Sequence, residues 1–189
     1  MCNRSFILSL VFLSVFFHGE IFAQFQLGRD IDGEASDDQS GYSVSIDSSG
    51  NRVAIGATDS DGNGSNSGHV RVYEYSSGSW TQMGSDIDGE ASDDYSGHSV
   101  SINSSGDRVA IGAKYNDGNG NNSGHVRVYE YSSGSWTQMG SDIDGEASDD
   151  KSGYSVSIDS SGDRVAIGAP DNDGNGATSG HVRVYEYSS

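Results

Sequence analysis

Residues 66–94 read NSGHVRVYEYSSGSWTQMGSDIDGEASDD, and residues 122–150 repeat all 29 letters. The frame extends to either side of this block. Gly28, Gly84 and Gly140 open equivalent segments, so the period is 56 residues and the chain holds three units, at about 28–83, 84–139 and 140–189. A fixed period of this size marks a solenoid, propeller or array, in which each unit hides its apolar surface against the next.

Four strands are predicted per unit. In the first, Tyr42-Ser43-Val44-Ser45-Ile46 alternates with period two and Arg52-Val53-Ala54-Ile55-Gly56 is a short apolar run. Residues 69–75 alternate Val with polar groups and then Tyr with Glu, and residues 80–83 form a shorter fourth segment. β-branched and aromatic residues fill these runs, and Gly, Ser, Asn and Asp fill the gaps. No window shows the 3.6-residue spacing of a helix. The one proline, Pro170, interrupts no strand. The short link at 48–51 predicts a hairpin, and consecutive pairing then gives a four-stranded antiparallel meander. Val70 and Val72 fall on one face of the third strand, Tyr73 and Tyr75 on the other. Apolar groups on both faces call for a sheet covered on both sides, as in stacked propeller blades. The expected fold is therefore all-β, a β-propeller-like array of three four-stranded antiparallel blades. Three blades are fewer than the roughly 4–8 of closed propellers, so an incomplete propeller, a piece of a longer array, or self-association that completes a ring are all consistent with the count. Residues 25–28 align with the end of a fourth strand, 81–84, so an N-terminal fourth strand fits the open end of the last blade.

The first two dozen residues read as an address. Arg4 precedes an apolar run at 6–17, and a small residue, Ala23, precedes Gln24. The run is shorter than the roughly 20 residues of a membrane span, so residues 1–23 are expected to be a cleaved signal peptide, leaving a repeat domain over 24–189. Cys2, the single cysteine, lies inside the signal, so neither disulfides nor thiolate ligands are available to the mature chain. The net charge of −18 repels nucleic acid and anionic lipid. The expectation is a secreted, extracellular or cell-surface protein with no nucleic-acid partner and no membrane insertion after cleavage.

Ser40-Gly41-Tyr42-Ser43-Val44 followed by Ala54-Ile55-Gly56-Ala57 resembles the FG-GAP repeat, the unit of the integrin α-subunit propeller. The third unit carries a literal Gly168-Ala169-Pro170. Serine stands in place of the motif's phenylalanine at Ser40, Ser96 and Ser152, and the family's calcium loop is replaced by the hairpin Asp47-Ser48-Ser49-Gly50-Asn51-Arg52. The resemblance implies a propeller-like fold and an adhesive or binding role toward an extracellular protein or polysaccharide.

Carboxylates recur elsewhere at relative positions 1, 3, 5 and 9: Asp30, Asp32, Glu34, Asp38; Asp86, Asp88, Glu90, Asp94; and Asp142, Asp144, Glu146, Asp150. Calcium takes six to eight oxygens from a curling loop, and alternate positions can converge in that way. The alternative is a solvated acidic loop anchored by Ile31 and its counterparts. Asp59-Ser60-Asp61-Gly62-Asn63-Gly64 matches half of an EF-hand loop, but position 12 is a valine and the middle copy opens on Tyr115, which favours a Gly-Asn turn. His69, His125 and His181 recur beside the third strand and read as packing or turn residues. Trp80 and Trp136 suit either sugar stacking or a core edge, which leaves a carbohydrate-binding module, or a piece of a larger propeller hydrolase, as alternatives. No nucleophile–base–orienter set is present, and the expectation is that the chain is not an enzyme.

Overall fold

The computed structural model describes residues 23–187; the predicted signal peptide falls almost wholly outside them. Among the described residues there is no helix, and none long and apolar enough to cross a membrane. Thirteen strands among the described residues form three antiparallel sheets, each a blade whose last short strand comes from the opening residues of the next sequence unit where one is described. The first blade holds β1 (Ser40–Ile46), β2 (Arg52–Ala57), β3 (His69–Ser76), β4 (Ser79–Gln82) and β5 (Ile87–Asp88). The second holds β6 (Ser99–Ile102), β7 (Arg108–Ala113), β8 (His125–Ser132), β9 (Ser135–Gln138) and β10 (Ile143–Asp144). The third holds β11 (Ser155–Ile158), β12 (Arg164–Ala169) and β13 (His181–Glu186).

Each blade is the expected meander, with one departure. The fourth strand is broken in two: β4 pairs with β3 from Ser76↔Ser79 to Tyr73↔Gln82, and β5 pairs with the same strand at Val70↔Ile87 and His69↔Asp88. More residues lie between Gln82 and Ile87 than between Tyr73 and Val70, so the chain bulges. Gly84, at φ +71°, supplies the left-handed residue that the bulge needs. Ile87, read from sequence as the anchor of a loop, is thus a ladder residue, and it is buried.

The blades stack through two kinds of contact. Val70, Val72 and Ala54 of the first blade pack on Val100, Ile102, Val109 and Ile111 of the second, and Val126, Val128 and Ala110 pack on Ile158, Val165 and Ile167 of the third. Each fully buried Val or Ile contributes about 1.5–3 kcal/mol relative to exposure. Nearer the inner edges, where β1, β6 and β11 lie side by side, the backbones themselves touch. The α-carbon of Gly56 faces Gly97 of the next blade, and a Cβ on Gly56 would stand 2.2 Å from the Gly97 carbonyl oxygen. Gly112 and Gly153 repeat the arrangement at 2.1 Å. The Ser43 hydroxyl donates to the Gly97 carbonyl at 2.6 Å, and the Ile102 amide donates to Ser45 Oγ at 3.0 Å. The two glycines of the FG-GAP-like pattern therefore belong to one blade-to-blade junction, one glycine from each side.

Candidate functional site

The two rims of the array differ in how much they vary. The three units are nearly the same sequence, and most of their differences lie at 39, 42, 58–60 and 65–66 and the equivalent positions. These positions enter β1 or connect β2 to β3, so they share one rim. There, Gln39, Tyr95 and Lys151 sit at φ +54°, +54° and +55°, a left-handed conformation that few residues other than Gly, Asn and Asp adopt. Each is matched to the residue twenty positions on. The Gln39 amide donates to the Asp59 carboxylate. Tyr95 meets Tyr115 edge to face with ring centroids 5.5 Å apart. Lys151 Nζ lies 2.5 Å from Asp171 Oδ2. The rim pair thus differs in each unit on a constant scaffold, although its second member is aspartate in both the first and third units.

Between the units the rim opens into clefts. One of about 390 Å³ is lined by Asp93, Tyr95, Tyr115, Asn122, Asp149 and Lys151. Another of about 230 Å³ lies between the first and second units and includes Tyr42, His98 and Lys114. Tyr42, His98 and Tyr154 form an aromatic row across all three blades, with centroids 5.2 and 4.9 Å apart. Burial and the nearby Lys114 lower the His98 pKa to about 4, so this imidazole is neutral at pH 7. Lys114 lies over the Tyr115 ring at 4.7 Å. A rim of aromatic faces, amides and single charges offers stacking and hydrogen bonding to a polar ligand.

A second constellation lies between the blades. On the face of β3 opposite Val70 and Val72, His69 and Arg71 are both buried. Arg71 Nη1 reaches Glu34 Oε1 at 3.2 Å, and Arg71 Nε lies 3.8 Å from Asp86 Oδ1. The bulge between β4 and β5 carries Asp86 to this position, where the Gln82 amide also donates to it at 2.6 Å. The second unit repeats the set with Glu90, His125, Arg127 and Asp142, in which Glu90 lies 3.5 Å from Arg127 and 3.8 Å from His125. His125, held neutral by burial first and the Arg127 charge second, has its pKa lowered to about 4. Burial raises the Glu90 pKa, while Arg127 opposes the shift. In both sets the aspartate sits on the blade that carries the His–Arg pair, and the glutamate lies before that blade: Glu90 follows β5 of the first blade and reaches β8 of the second, so the set clasps two blades together.

The twelve carboxylates singled out by spacing are therefore distributed among several different surroundings. Glu34, Asp86, Glu90, Asp142 and Glu146 belong to the clasps. Asp30 accepts from Gln26 at 2.7 Å. Asp88 and Asp144 use their carbonyl oxygens to accept from Arg127 and Arg183, at 2.8 and 2.6 Å, and Asp32 precedes the described strands. Asp38, Asp94 and Asp150 brace the rim: each accepts from the amide three residues before it, and Asp94 and Asp150 also accept from Asn116 and Asn172 at 3.0 and 2.9 Å. Among the described residues, the groups whose potential ligand atoms lie within 4.8 Å of one another are Glu34–His69–Asp86 and Glu90–His125–Asp142. Each offers one imidazole, and a guanidinium already supplies the positive charge. Neither matches the all-oxygen shell of calcium. The hairpin that replaces the family's calcium loop fits it no better, because Asp47 accepts from Ser49 and from the Arg52 amide and closes on its own turn. Asp61 likewise accepts from the Asn66 amide at 2.9 Å, as a turn residue does.

The structure also places the tryptophans. Trp80 and Trp136 donate to the carbonyls of Leu27 and Met83 at 2.8 and 2.7 Å and lean on Tyr75 and Tyr131. They tie one unit to the segment before it. Sequence reading missed the arginines of the clasps and the 39–59 pairing. The signals for them were the i, i+2 placement of His69 and Arg71 on one strand face and the appearance of Tyr95 and Tyr115 together in the middle unit.

A family model described as FG-GAP repeat matches residues 85–129. That segment is similar to an FG-GAP repeat. It spans the second unit from the bulge to the middle of β8, and the flanking units repeat its sequence at the 56-residue period. No curated protein matches the chain. Among solved structures, the chain is similar to the hydrazine synthase of Kuenenia stuttgartiensis, with TM-score 0.48 and 9% identity over 84% of this chain and 36% of that one. It is also similar to the periplasmic gluconolactonase PpgL of Pseudomonas aeruginosa, with TM-score 0.48 and 15% identity over 77% of this chain and 39% of that one. The chain thus spans well under half the length of either. Both are enzymes by name, which corrects the expectation that this chain is not one: a fold of this kind does not exclude catalysis.

Proposed function

We propose that this FG-GAP repeat protein is exported and works as a binding or adhesion module, contacting an extracellular protein or polysaccharide through the variable rim. One observation carries the reading: the units keep their scaffold while the pair at the rim differs in each, Gln39 with Asp59, Tyr95 with Tyr115 and Lys151 with Asp171, the aspartate being kept in the first and third. A scaffold under packing constraint alone gives no reason for three different solutions at one equivalent place. The left-handed backbone that presents these side chains points the same way, since such strain tends to collect at functional positions. Export is supported by the apolar N-terminal run, preceded by Arg4 and followed by the small residue Ala23.

Arrays of glycans and of extracellular proteins, probed with residues 24–189, test the reading. The expected result is binding that Tyr95→Ala with Tyr115→Ala removes and that Asn51→Ala, at the opposite rim, leaves intact. Equal binding by all three proteins, or none by any, contradicts it.

A further inference from the structure

The two outer faces of the array are the two halves of the junction seen twice inside it. Val182 and Val184 on β13 are 68% and 67% exposed, whereas Val70, Val72, Val126 and Val128 are at most 1% exposed. At the other end, Val44 and Ile46 on β1 are 65% and 59% exposed, against 9% and 7% for Val100 and Ile102. The glycine contact is halved in the same way. Gly97 and Gly153 each touch a glycine of the preceding blade, but a Cβ on Gly41 would meet nothing within 4 Å. At Gly168 a Cβ would meet only Ser155 of its own blade.

The clasp is halved as well. Glu146 lies 3.5 Å from His181 and 3.7 Å from Arg183, among the described residues no aspartate joins them, and the His181 side chain is 25% exposed where His69 and His125 are at 3% and 1%. Asp30, the counterpart of Asp86 and Asp142, meets no His–Arg pair among the described residues. Among the described residues β13 has no fourth strand beside it. Residues 25–32, which correspond to the fourth strand 81–88 of the first blade, lie outside every strand with Phe25 and Leu27 exposed.

We infer that a second copy of this chain docks head to tail on the first. Its β1 face and its residues 25–32 cover β13, and its Asp30 completes the Glu146–His181–Arg183 clasp. The contact reuses, group for group, an interface that the chain already forms twice: valines on valine and isoleucine, Gly168 against Gly41, and Ser155 and Ser157 toward the incoming strand as Ser43 and Ser45 do. Each chain presents one β13 face and one β1 face, so the contact is heterologous and can repeat from chain to chain. The net charge of −18 on each chain opposes approach at low ionic strength, so association strengthens as salt screens it.

Sedimentation equilibrium of residues 24–189 at moderate salt tests the inference. The expected result is the mass of two chains, or a higher whole multiple, shifting toward one chain on dilution. Val184→Asp and Ile46→Asp each yield single chains; both positions are exposed in the isolated chain, so both variants fold, as circular dichroism verifies. Mixing the two variants restores association, because each keeps the face that the other lacks. Asp30→Asn weakens association several-fold. Four results overturn the inference: wild-type protein that stays at one chain to its solubility limit, either single variant associating like wild type, a mixture that stays monomeric, or, for the completed clasp, an unchanged Asp30→Asn affinity.

Discussion

Gly112 shows how much one hydrogen in place of a methyl can decide. Its α-carbon lies against Gly153 of the next blade, and a Cβ there would stand 2.1 Å from a carbonyl oxygen and 2.4 Å from Ser99 Oγ. Neither backbone can yield without parting the blades, so Gly112→Ala is expected to lower stability by about 1–3 kcal/mol or more, measured by urea denaturation; Gly134→Ala, at a hairpin with open space, reports the φ cost alone. Two histidines make stability depend on pH. His98 and His125 have folded pKa values lowered to about 4, below the roughly 6.5 of an unfolded histidine. Between these values the unfolded chain binds more protons, so stability is full above pH 6.5 and falls as pH drops toward 4. Glu90 and Asp94, whose pKa values burial raises, work in the opposite sense at the acidic end. The thermal midpoint is therefore expected to fall from pH 7 to pH 5, and to fall less in His98→Tyr, which installs the residue found at positions 42 and 154. The motif glycines were legible as a pattern, but not as two sides of one contact, because sequence does not say which glycine touches which. Arg71 and Arg127 were likewise hidden, since their acidic partners come from other loops and, in part, from the next unit.

At the level of the strand, equivalent residues in different blades become controls for one another. Ile102 on β6 is buried in the junction with the first blade, whereas Ile46, its equivalent on β1, is exposed. Ile102→Ala is expected to cost about 2–5 kcal/mol. Ile46→Ala is expected to cost under about 0.5 kcal/mol in dilute protein, with calorimetry of both variants as the check. Equal losses would mean that burial does not follow the blade order. The long strands were readable because alternation and β-branched runs report a pleated surface directly. β5 and β10 were not, because two residues after a glycine bulge carry no period, and their acidic neighbours resemble a solvated loop. The rim pairing was also out of reach: residues 39 and 59 meet only when the entry to one strand and the exit of another share an end of the sheet.

For the whole molecule, two features set the behaviour: a strongly acidic surface and a core formed between repeats rather than within them. The acid spacing invites calcium, yet the clasps close on arginine and the rim aspartates close on amides and asparagines. A ligand that bound only the folded chain would raise its melting temperature in proportion to occupancy. The charge-satisfied geometry predicts the same midpoint in calcium and in chelator, and a reproducible rise with calcium would place an ion among these carboxylates. The central claim is that each 56-residue unit is a blade whose two sides are hidden by its neighbours. Residue-resolved amide hydrogen exchange tests it most directly. Protection is predicted to recur with the repeat and to peak in the middle blade, over Arg108–Ala113 and His125–Ser132. Uniformly fast exchange, or protection that ignores the repeat, would contradict it.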